Sequence, residues 1–77
     1  MKIRTYPDNL IANEKIIDVD IKKLAQDFLA ERIKENYQSN INRHLLVFLN
    51  EKFPVVIDVD DFQKLMDEIY SAYRRIT

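Results

Sequence analysis

Between Phe62 and Ile76 the apolar residues fall at Phe62, Leu65, Met66, Ile69, Tyr70, Tyr73 and Ile76, a spacing that lines them along one helical face. Asp58, Asp60 and Asp61 stand at the start of this stretch and Arg74 and Arg75 at its end, the polarity that complements a helix dipole. The pattern predicts a helix over about 59–76.

A second stripe runs through Ile21, Leu24, Ala25, Phe28, Leu29 and Ile33, with Lys22, Lys23, Gln26, Asp27, Glu31 and Lys34 as its solvated face; it predicts a helix over about 20–37. A third, through Ile41, Leu45, Phe48 and Leu49, predicts a helix over about 40–52, ended by Pro54, which biases Phe53 away from helical geometry. No glycine or proline separates the second and third stripes. Phase does: at about 100° per residue the two faces lie roughly 150° apart, so a straight helix would need partners on opposite sides. A break near Ser39, with Ser39 capping the next helix, brings both faces to one core. One long helix in an intertwined oligomer is the competing solution.

The remaining segments read as extended. Lys2–Tyr6 alternates weakly, as an edge strand would; Pro7-Asp8-Asn9 is a turn, with Asn9 or Asn13 suited to left-handed geometry. Ile16–Asp20 alternates, with Ile17 and Val19 on one face, and Pro54–Ile57 is β-branched enough for a short strand or a packed connector. The expected fold is a single mainly α domain over 1–77, a small bundle of two or three helices with residues 1–15 as an extended arm or edge strand. The alternative is α+β, with short strands near 2–6, 15–19 and 54–58.

Ile-Asp-Val-Asp occurs twice, at Ile17–Asp20 and Ile57–Asp60, each time ahead of a helical stripe. Its carboxylates suit helix N-caps, where a short acceptor satisfies orphan N–H groups. Lys23-Leu24 and Lys64-Leu65 follow at nearly equivalent positions, so the chain divides into two units of extended lead, acidic cap and amphipathic helix. A pseudo-symmetric pairing of the units competes with coincidence in a chain rich in Ile and Asp.

Composition narrows the functional classes. The 77 residues have no cysteine, hence no disulfide and no thiolate metal site. At this length burial roughly cancels a conformational cost of about 1.5 kcal/mol per residue, which favours self-association. Net charge is −1 with both signs interleaved, unlike the positive excess of a non-specific nucleic-acid binder. No apolar run approaches the roughly eighteen residues of a membrane span and no signal peptide opens the chain, so a cytoplasmic protein is expected. The absence of glycine excludes phosphate-cradling loops, dinucleotide fingerprints and nucleophile elbows.

The chemistry-bearing residues are few. Asp18/Asp20 and Asp58/Asp60/Asp61 resemble the start of a calcium loop but lack its glycine and its closing glutamate, so capping is expected and metal is not. His44, the only histidine, borders an apolar face and reads as a partly buried structural residue. Ser39, Asn40, Asn42, Arg43 and His44 look like the start of a recognition helix, with Leu24-Ala25 upstream as in a first helix; the spacing is too long and the tight-turn glycine is missing. Tyr70, Tyr73 and Ile76 form a candidate interface on the last stripe, since tyrosine is enriched at contacts. The expectation is therefore a non-enzymatic, cofactor-free interaction module, self-associating and acting as regulator or inhibitor of a larger protein. A small DNA-binding regulator using Ser39–Leu45 is the alternative.

Overall fold

The computed structural model describes residues 1–77. Its elements follow in the order β1 (Lys2–Tyr6), β2 (Lys15–Asp18), α1 (Ile21–Lys34), α2 (Ile41–Lys52), β3 (Val56–Ile57) and α3 (Val59–Ile76), with one 3₁₀ turn at Ile11–Asn13. The fold is mainly α with a small antiparallel sheet, and it includes all three strands of the α+β alternative. No helix is long and apolar enough to cross a membrane.

Strand order is β2-β1-β3, which places β1 in the middle of the sheet and not at its edge. Its alternation sets its faces: Ile3 and Thr5 are buried while Lys2 and Arg4 face out. Ile3 pairs with Ile17 and Thr5 with Lys15 on one side; Thr5 pairs with Ile57 on the other. The Thr5 hydroxyl donates to the Lys15 carbonyl (2.8 Å), so its burial leaves no orphan group. Where β3 turns into α3, the ladder is completed by a side chain. Asp58 N–H donates to Arg4 O (2.9 Å), and Arg4 N–H donates to the Asp61 carboxylate (2.8 Å) in place of a strand carbonyl.

One cluster of eleven buried residues unites Ile3, Val19 and all three helices. Its centre is aromatic: Phe28 of α1 lies 5.4 Å from Phe48 of α2 and 5.2 Å from Tyr73 of α3, ring centre to ring centre. The faces that phase sets apart thus meet in one core, because the chain breaks between α1 and α2. The body around this core is elongated, 41 × 19 × 16 Å.

The break differs from expectation in two details. The helix ends at Lys34, three residues before Tyr37, because Asn36 and Tyr37 take left-handed backbone (φ 61° and 56°). Asn36 N–H donates to Ile33 O and Tyr37 N–H to Arg32 O, the paired bonds that close a helix when the residue past its cap is left-handed. Glycine usually fills that position; asparagine, whose short amide tolerates the same region, substitutes in a chain that has none. The second detail concerns the α2 cap, which is Asn40 and not Ser39. The Asn40 amide oxygen accepts from Asn42 and Arg43 N–H (3.1 and 3.2 Å), whereas the Ser39 hydroxyl donates back to Glu35. Asn40→Ala is expected to cost about 1 kcal/mol of stability, read as a shift in urea midpoint at unchanged slope; an unshifted midpoint would show the cap to be idle.

The tetrapeptide copies both start helices, but in different registers. Asp20, the fourth residue of the first copy, caps α1 by accepting from Lys23 N–H. Asp58, the second residue of the other, caps α3 by accepting from Asp60 and Asp61 N–H. The valines between accordingly diverge, Val19 being buried and Val59 77% exposed. What the copies share is position: each lead strand flanks β1, and each feeds a helix that reaches the core.

Candidate functional site

Tyr70, Tyr73 and Ile76 do not form one surface. Tyr73 is in the core against Phe28, at the centre of the stripe. Tyr70 lies to one side, in a groove with Asn42 and Leu45 of α2. Ile76, 41% exposed, lies to the other, in a groove with Ile21 and Ala25 of α1. One apolar stripe therefore serves two flanks, with its middle spent on packing.

The α2 start is similarly divided. Asn40 is committed to the cap, Ser39 to Glu35 and His44 to the core, while Asn42 and Arg43 are exposed. Glu31, Glu35 and Glu51 border the same hollow as Arg43 and His44, a carboxylate rim that repels phosphate. His44 is edge-on to Phe28 at 5.2 Å, the partly buried structural position expected of it.

Beneath this rim lies a feature absent from the sequence reading. Arg32 is buried, whereas its neighbour Ile33, expected in the core, is 56% exposed. Arg32 Nη1 contacts Ser39 O (2.7 Å), Glu35 Oε1 (2.9 Å) and His44 Nδ1 (3.2 Å), and Glu35 Oε1 is 2.9 Å from His44 Nδ1. Nη1 carries two hydrogens, and the two oxygens take both. His44 must then donate from Nδ1 to Glu35, which fixes its tautomer when neutral. The Tyr37 ring stands over the guanidinium at 5.7 Å, and Arg32 Nε has no partner. The Ser39 hydroxyl, first among the causes, holds the Glu35 carboxyl below the usual range. A serine nucleophile would have to face His44; here both Ser39 and His44 donate to Glu35, so the arrangement builds a corner between helices, not a reacting pair.

The acidic leads are equally occupied. Asp58 and Asp61 both bind the Arg4 guanidinium (3.0 Å each), and Asp61 is held below the carboxylate range chiefly by the Arg4 side-chain bond.

Large apolar groups remain exposed elsewhere. Leu46, Val55 and Val56, with half-buried Ile57 and Phe62, line a groove of about 320 Å³ between α2, β3 and α3. In the β1–β2 turn Leu10 is 57% and Ile11 82% exposed. The signal for the turn lay in the sequence, as two adjacent apolar residues within a run of turn formers. Leu46 and Val47 likewise fall off the stripe of Leu45, Phe48 and Leu49. Comparison with protein-family models, with curated proteins and with solved structures yields no match to this chain.

Proposed function

We propose that this chain is a non-enzymatic, cytoplasmic interaction module that self-associates and engages a larger protein as a regulator or inhibitor. The observation that carries the reading is the balance of apolar surface. Eleven large apolar side chains are left exposed, as many as the residues that make up the hydrophobic core. Scattered exposed apolar residues are ordinary, but here several gather into grooves beside helix ends and sheet edges, where contact surfaces concentrate. The polar constellations add support from the other direction, since Arg4, Arg32, Ser39 and His44 are all bound within the fold.

Sedimentation velocity across micromolar to millimolar concentration tests self-association. The weight-average mass is expected to rise with concentration. The mass of one chain throughout that range would remove the reading.

A further inference from the structure

The β1–β2 turn is an apolar knob with nothing to cover it. Residues 7–16 are ten consecutive exposed positions, with Leu10 and Ile11 at the tip. The knob is held in shape from within. Asn9 takes φ 63°, Asn9 N–H donates to Tyr6 O, and Asn13 N–H donates to Leu10 O. The Asp8 carboxylate accepts from Leu10 N–H and from the Asn13 amide. A segment ordered in advance loses little entropy when it docks. Asp8 and Glu14 flank the tip, and no cation lies between them.

At the other end of the hairpin is a hollow of complementary character. Ile21 and Ala25 of α1 and Ala72 and Ile76 of α3 line a groove of about 360 Å³, left open by the two short alanine side chains. Lys22 and Arg75 complete its lining, with no carboxylate among them. The other three grooves lack this combination: one is rimmed by three glutamates, one includes Asp67, and one has no charged side chain.

We propose that the Leu10–Ile11 turn of one copy seats in the α1–α3 groove of a second copy, with Asp8 and Glu14 facing Lys22 and Arg75. Strand β2 stands between a chain's own turn and its own groove, so the contact forms between copies. It joins unlike surfaces, closing where two copies exchange turns about a twofold axis and extending head to tail otherwise. The inference rests on the self-association proposed above and names its surfaces. Exposed charge pairs are screened by salt, so association weakens as ionic strength rises.

The chain's lack of cysteine permits a direct test. Ile11→Cys and Ile76→Cys proteins, both altered at exposed positions, are mixed in equal amounts and oxidised. Mixed disulfide dimers are expected in excess over random pairing; a random or lower yield overturns the contact. In parallel, Ile11→Asp should lose the concentration-dependent mass of the parent protein while keeping its circular dichroism. If the parent associates and Ile11→Asp associates equally, the seating is wrong and self-association stands. If the parent stays monomeric at millimolar concentration, both are wrong.

Discussion

Phe28→Ala is expected to lose about 3–5 kcal/mol of stability, the cost of truncating a fully buried aromatic residue. A chain of this length has roughly 4–12 kcal/mol in all at 0.05–0.15 kcal/mol per residue, so cooperative unfolding should be largely or wholly lost. The position is severe because Phe28 belongs to no single pair of helices. It touches His44 and Phe48 of α2 and Tyr73 of α3, so the cavity left behind borders all three helices. Ile33→Ala on the same helix is the control. Ile33 is 56% exposed and its truncation should stay within about 0.5 kcal/mol. Thermal melts at 222 nm read both. A sharp Phe28→Ala transition near the parent Tm would contradict this account of the core.

The contrast between Phe28 and Ile33 also shows where periodicity stops being informative. Helix α3 was legible nearly to the residue, because a continuous stripe, acids at one end and arginines at the other all agree on its limits. Helix α2 was legible because phase demands a break near Ser39 and Pro54 closes the far end, although the cap falls one residue later, on Asn40. The end of α1 was not, since the left-handed stop is made by Asn36, which sequence reading does not weigh as it weighs glycine. The burial of Arg32 was hidden for a related reason. A cation reads as solvated unless acceptors are seen around it, and Ser39 O, Glu35 and His44 converge on it only after the chain turns. The central place of β1 was hidden too, because alternation gives a strand's faces and not its neighbours. At the proposed interface, Tyr73 was drawn into the core by the regularity that marked the stripe, while Leu10 and Ile11 belong to no stripe at all.

The α1–α2 corner yields the second large effect, in which two changes together should harm less than one. Arg32 is a buried guanidinium whose charge is met at close range by one carboxylate, Glu35 (2.9 Å). Glu35→Ala leaves that cation in place with the Ser39 carbonyl as its remaining oxygen acceptor, and it also strips His44 and the Ser39 hydroxyl of their acceptor. An unpaired buried charge is costlier than the pair's absence. The double variant Arg32→Met/Glu35→Ala, which replaces the cation with an apolar chain of similar length, should therefore melt above Glu35→Ala alone. Acid should reproduce the single loss. The Glu35 carboxyl lies below its ordinary value of 4.5 in the fold, so its contribution is complete above that value and fades as pH falls through the folded one. Asp61, lowered by Arg4, adds an acid loss of the same sign. The Tm of the parent should consequently drop more steeply below the carboxylate range than that of the double variant. Parallel acid profiles, or a double variant melting below Glu35→Ala, would show that Glu35 serves the Ser39 turn alone and does not compensate Arg32.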